Sequence, residues 1–171
     1  MLTIYQALIQ DDADRPAGEE SERFSFDAPT EEIISMGIDR PWGAVAVHSY
    51  RSSEASDEIK LVLVHPLGEA IPPREAWSVS QIQAKSFHVE LSPSSEILGY
   101  GWDMIGRPPK IGSRLFMGEP TEHPTLMKEV LLPWKVDRVE TYEPVYEQDG
   151  ESPYPEIRLC WCVALKEAIA A

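Results

Sequence analysis

Basic residues are scarce in this 171-residue chain, in which 15 Lys and Arg stand against 29 Asp and Glu, a formal net charge of -14. Binding that depends mainly on phosphates needs clustered Lys and Arg, so direct nucleic-acid binding is not expected. Long apolar runs are lacking too, since those at 44–47 and 61–64 are far shorter than a bilayer-spanning helix. The start, MLTIYQALIQDDAD, has no signal-peptide pattern. We therefore expect an intracellular, cytoplasmic protein with no membrane partner.

Cysteine is nearly absent, with Cys160 and Cys162 in the run RLCWCVAL as the two examples. Strand alternation puts both thiols on one face. The Cα atoms of two such extended positions lie too far apart for a disulfide. A metal or redox role needs further thiols or a C-x-x-C spacing, and neither occurs. We interpret both cysteines as buried apolar side chains and expect no metal site and no cofactor.

Motifs for catalysis and phosphate binding are missing as well. The third glycine of GYGWDMIG falls at the wrong spacing for a dinucleotide fingerprint, and neither H-E-x-x-H nor G-x-S-x-G occurs. The four histidines are scattered along the chain at His48, His65, His88 and His123. A carboxylate pair for glycoside hydrolysis stays open in a chain with so many acids. The sequence identifies no catalytic residue and favours a non-enzymatic role.

The chain does carry strong strand periodicity. GAVAVHSY (43–50) and EIKLVLVHPL (58–67) are apolar runs joined by a short polar segment, which predicts an antiparallel hairpin. A turn near residues 54–55 would place His48 opposite about residue 61. His48 and His65 would then lie at opposite ends of the hairpin, where they cannot share a metal.

Similar patterns predict strands along the rest of the chain, in the opening residues and in RFSFDAP, FHVEL, ILGYGWDM, SRLFMG, WKVDRVETYEPVY and EIRLCWCVAL. Fifteen prolines break the chain into short elements. We predict one mainly-β (β-rich α+β) domain over residues 1–171, as an antiparallel sandwich or a partly open barrel. Glycines in ILGYGWDM indicate a bend, a bulge or the close approach of another backbone.

One to three short helices are expected beside the strands. Thr30 and the two glutamates after it predict a helix cap and a helix through about Met36. Proline at a first turn and apolar residues at helical spacing predict a second helix over 72–85. The run HPTLMKEVLL (123–132) predicts a short third one. The acidic segment at about 10–22 is expected to form a mobile loop.

The negative charge is concentrated in two blocks. Residues 1–32 hold nine acids and two bases, and residues 119–156 hold ten acids and three bases, so each block has a net charge of -7. The middle, 33–118, sums to -1, and 157–171 sums to +1. Whether the two blocks meet in space is the question that the sequence raises.

Aromatic residues near acids suggest a contact surface for a basic protein, with tyrosine or tryptophan anchors among steering charges. Trp42 and Trp134, each after a proline, are expected as half-exposed indoles at strand entries. The candidate partner-binding residues are Trp42, Trp134, Tyr142, Glu143, Tyr146, Glu147, Asp149, Glu151 and Tyr154. We expect an interaction protein, either an inhibitor, an immunity-type or anti-defence protein, or a subunit of an assembly such as a virion.

Other functions stay open. A pocket near Tyr100, Trp102 and Asp103 would suit a small-ligand binder or an enzyme, because a carboxylate in an aromatic strand is costly to bury and its pKa is then perturbed. Two acidic blocks would also suit a mimic of nucleic acid. The tryptophans are compatible with carbohydrate binding, which an intracellular setting disfavours.

Overall fold

The computed structural model describes residues 1–8, 21–28, 32–36, 40–71, 73, 86–103, 109–123, 126–145 and 152–165. Within these ranges the chain forms strands and no helix. The strands are β1 (Leu2–Ala7), β2 (Glu22–Ser25), β3 (Ile34–Ser35), β4 (Pro41–Ser52), β5 (Glu58–Pro66), β6 (Ser86–Leu91), β7 (Ile97–Asp103), β8 (Arg114–Pro120), β9 (Met127–Pro144) and β10 (Glu156–Ala164). The prediction of a mainly-β fold is confirmed.

These strands join in one mixed sheet with the order β2-β1-β5-β4-β9-β10-β6-β7, while β3 pairs with β4 and β8 pairs with β9. The predicted hairpin is β4–β5, which is antiparallel and has His48 opposite Leu61. His65 lies opposite Gly43 at the far end, as expected. The pairs β1–β5 and β10–β6 are parallel, which differs from the antiparallel prediction. Parallel neighbours need long connections, so local sequence patterns do not reveal them.

Two of the predicted helices are wrong. Ile34–Ser35 pairs with β4 as the short strand β3, and residues 127–132 form the start of β9. Both segments find backbone partners in a neighbouring strand, which outweighs the local helix signals. The predicted helix at 72–85 and the predicted loop at 10–22 lie almost wholly outside the described residues. The described part contains no helix long and apolar enough to span a membrane.

The sheet rolls up so that its end strands, β2 and β7, approach each other. The ring centroids of Phe24 on β2 and Tyr100 on β7 are 5.2 Å apart. The Tyr100 hydroxyl also donates a hydrogen bond to Glu22 Oε2 at 2.8 Å. Of the two predicted architectures, this one is closer to the partly open barrel than to the sandwich.

The inner face of the roll holds the largest group of buried apolar side chains. Its members are Leu2, Ile4, Tyr50, Ile59, Leu61, Phe87, Val89, Leu91, Tyr142, Tyr154, Ile157 and Leu159. A smaller cluster on the outer face contains Tyr5, Ile34, Met36, Trp42, Val62 and Val64. Strand β5 contributes Leu61 to the inner face and Val62 to the outer cluster. Burial on both faces explains why its sequence is a continuous apolar run instead of an alternating one.

A buried tyrosine pair ties β4 to the segment that precedes β10. The Tyr50 hydroxyl donates to the Tyr154 carbonyl oxygen at 3.0 Å, and the Tyr154 amide donates to the same hydroxyl at 3.2 Å. Both side chains are fully buried, with 0% exposed. The Tyr50 hydroxyl therefore satisfies both the amide and the carbonyl of Tyr154, a residue that does not pair with a neighbouring strand.

We predict that Tyr50→Phe lowers the free energy of unfolding by about 1–3 kcal/mol, because it leaves a buried amide and a buried carbonyl without their partner. Urea unfolding followed by circular dichroism measures the change. Tyr100→Phe is the matched control and should cost less, since the Tyr100 side chain is 41% exposed. Equal stability of Tyr50→Phe and the parent protein would contradict this role for Tyr50.

Candidate functional site

Three of the expected aromatic anchors are buried, which corrects the prediction of a surface that includes them. Trp42 is 3% exposed and packs in the outer cluster, and Tyr142 and Tyr154 are 3% and 0% exposed on the inner face. Trp134 is half-buried and Glu143 is exposed. The remaining candidates, Tyr146, Glu147, Asp149 and Glu151, lie outside the described residues.

Within the described residues, no strand of the first acidic block pairs with a strand of the second. Strand β2, from the first block, pairs with β1. Strand β9, from the second block, pairs with β4, β8 and β10. Along the sheet, β1, β5 and β4 therefore separate β2 from β9 on one side.

The alternative pocket residues lie on β7. Trp102 is half-buried, with its ring centroid 5.5 Å from that of Phe87. The ring centroids of Tyr100 and Trp102 are 5.9 Å apart in an edge-on arrangement. Asp103 lies opposite Ser86 in the ladder, and its side chain is outside the description. Tyr100 and Trp102 thus belong to the aromatic packing that joins the end strands of the roll.

A hydrogen-bonded network links these aromatics to the centre of the roll. Trp102 Nε1 donates to the Tyr154 hydroxyl at 2.8 Å, and that hydroxyl donates to Gln6 Oε1 at 2.9 Å. Burial is the main cause that raises the pKa of Tyr154 above its usual value. A phenol that stays protonated does not act as a base or a nucleophile near neutral pH. The network therefore serves as a structural connection between β1 and β7.

A second polar arrangement crosses the outer face of β6, β7 and β10. His88 Nε2 lies 3.4 Å from Glu90 Oε1. A Cβ atom at Gly99 would lie 2.6 Å from Glu90 Oε2, and one at Gly101 would lie 3.0 Å from the His88 ring. These glycines leave the space that the His88 and Glu90 side chains occupy over β7. The sequence predicted a bend, a bulge or a close backbone at these glycines. The pairing of β6 with β7 does have an irregularity, between Glu90 and Leu91. The atoms close to the glycines, however, belong to side chains and not to another backbone.

The two cysteines lie on the outer face of β10. Both are free and buried, and they pack with Leu115 and Val136. Burial, helped by the negative charge of Glu90, raises the pKa of Cys160 to about 12 and that of Cys162 to about 11. Thiolates are strongly disfavoured at both positions. Among the described residues, no group of three or more His, Cys, Asp or Glu side chains could hold a metal ion.

The most unusual exposed feature is a hairpin formed by β8 and the first part of β9. Residues 127–131 of β9 pair with β8, whereas β10 first joins the ladder at Trp134. Phe116 and Leu131 are direct cross-strand partners on this hairpin, and they are 59% and 57% exposed. Such a pair on a two-stranded ribbon is uncovered apolar surface.

We call this hairpin, residues 114–120 and 127–135, the arm, and we call one side of it the arm face. Exposed and less exposed residues alternate along β9 from Glu129 to Lys135. The side chains of Glu129, Leu131 and Lys135 therefore lie on the same, exposed side of the arm. Arg114 lies opposite Lys135, and its Nε donates to the Leu132 carbonyl oxygen at 2.9 Å. The arm face is Arg114, Phe116, Glu129, Leu131 and Lys135.

Sequence reasoning missed the arm because it assigned the first part of β9 to a helix. SRLFMG was correctly predicted as a strand. The two segments flank EPTEHPT, which carries two prolines. Such a turn-forming segment between two apolar runs is typical of a hairpin and is the signal that identifies the arm.

Comparison of the chain with protein-family models, curated proteins and solved structures finds no match.

We predict that iodoacetamide leaves Cys160 and Cys162 unmodified in the folded protein at mildly alkaline pH, because both thiols are buried and protonated. Intact mass spectrometry should show no added groups without denaturant and two in denaturant. Alkylation at the same rate in both conditions would show that the thiols are accessible.

We also predict loss of stability as the pH rises above about 10, the usual pKa of tyrosine. Burial raises the pKa of Tyr50, Tyr142 and Tyr154 in the folded chain. Between the usual and the raised values the unfolded chain binds fewer protons than the folded one, so stability falls with pH. Tyrosinate absorbance and circular dichroism should change together for these residues. Complete ionisation of the six tyrosines with the fold intact would contradict the prediction.

Proposed function

We propose that this protein is a non-enzymatic interaction protein, a subunit of a larger assembly, and that the arm face is its protein-binding surface. The observation that carries the proposal is the exposed Phe116–Leu131 pair. Large apolar side chains that lie together on a protein surface are typical of binding sites. Aromatic residues are also enriched at interface centres.

The arm also has a physical need for cover. A two-stranded ribbon by itself is marginally stable in water. One side of the arm is already covered, because Leu115, Leu132 and Trp134 pack in the cluster that contains the two cysteines. Phe116 and Leu131, on the other side, stay exposed. Binding of a partner to the arm face removes Phe116 and Leu131 from water and supports the ribbon at the same time.

The remaining surface favours a basic partner because of the chain's net charge of -14. Of the residues proposed for that contact, Glu143 is exposed and Trp134 is half-buried. This contact is a second part of the proposal and depends on charge, whereas the arm contact depends on apolar area. High salt should weaken the charge-dependent contact and spare the arm contact.

We predict that replacing both Phe116 and Leu131 by serine abolishes most binding of assembly partners. Quantitative pull-down from the source cells, at low and high salt, compares the parent protein with F116S/L131S. The matched control is Val47→Ser, which removes a 50% exposed apolar side chain from β4. The same set of bound proteins for all three forms would overturn the proposal, provided that circular dichroism shows equal folding.

A further inference from the structure

Positive, apolar and negative side chains follow one another along the arm face, and this arrangement indicates what kind of surface binds it. Its basic residues, Arg114 and Lys135, lie together as cross-strand partners at the base of the arm. Phe116 and Leu131 form the centre, and Glu129 lies two positions nearer the tip, opposite Gly118. All five side chains of the arm face are exposed. The face therefore runs from positive, through apolar, to negative.

We propose that the arm face binds the same face of a second copy of this chain, as a two-fold symmetric dimer; this inference rests on the proposed function. A two-fold interface brings one patch against itself in reversed orientation. Phe116 and Leu131 of one copy then cover the same residues of the other. Glu129 of each copy then lies near Lys135 of the other copy, at the positively charged end of its arm face.

Charge also separates this partner from a basic protein. The continuous segment that contains the arm, residues 114–135, holds three basic and three acidic residues, so this segment is neutral within a chain of net charge -14. Two copies meeting elsewhere would bring like charges together, while two arms meet without repulsion. A basic protein on the arm face would face Arg114 and Lys135, which disfavours it.

Sedimentation velocity of the full chain over a range of concentrations tests the inference. We expect a reversible dimer for the parent protein and for the control Val47→Ser, and a monomer for F116S/L131S. Glu129→Lys and Lys135→Glu should each weaken the dimer, roughly tenfold or more, because each places like charges across the interface. The double variant E129K/K135E restores the opposite charges in reversed order and should recover the dimer.

The outcomes separate the two proposals. A parent protein that stays monomeric, while F116S/L131S still loses its partners in the pull-down, overturns the dimer and leaves the proposed function standing. Failure of the charge-reversed double variant to recover dimerisation, with each single variant folded, also overturns the two-fold arrangement. Unchanged mass and unchanged pull-down for F116S/L131S overturn both.

Discussion

The fold depends on closing a rolled sheet, and Tyr154 is the residue that connects the parts which must meet. Its hydroxyl joins Gln6 on β1 to Trp102 on β7, and its backbone groups bind the Tyr50 hydroxyl on β4. Its ring lies 5.6 Å from the Phe87 ring on β6, stacked. Strands that are far apart in the sheet order therefore share one buried side chain. A polar group at such a position is tolerated because its hydrogen bonds are made within the roll.

The same closure explains which sequence predictions held and which did not. The hairpin β4–β5 depends on neighbouring segments, so alternation and a short polar link were enough to place His48 opposite Leu61. Parallel pairing of β1 with β5 joins residues that are 57 positions apart in the chain, such as Leu2 and Ile59, and local periodicity carries no information about such contacts. The class of fold was thus predictable, whereas the strand order was not.

Burial of the aromatic residues follows from that strand order. Trp42 after a proline and Tyr142 among acids resemble surface residues when only their neighbours in sequence are considered. Tyr142 pairs opposite Ile157 on the inner face, and Trp42 lies between the short strand β3 and the end of β5. Which face is covered is a property of the sheet, and the sequence shows it where apolar and polar residues alternate, as in β6, or where the apolar run is continuous, as in β5. These aromatics are therefore not available to a partner, whereas Phe116 and Leu131 on the arm are exposed.

Strand β9 explains why the arm exists at all. Its 18 residues take part in three pairings: with β8 at the start, with β10 in the middle and with β4 at the end. The middle and end are held by the closed roll, so the first part extends beyond it with β8 as its neighbour in the described chain. Packing constraints on the arm face are consequently weak, and exposed Phe116 and Leu131 cost the core nothing. An apolar pair that stays exposed lowers solubility and gains little from burial in the isolated chain, which is why we propose that it belongs to an interface.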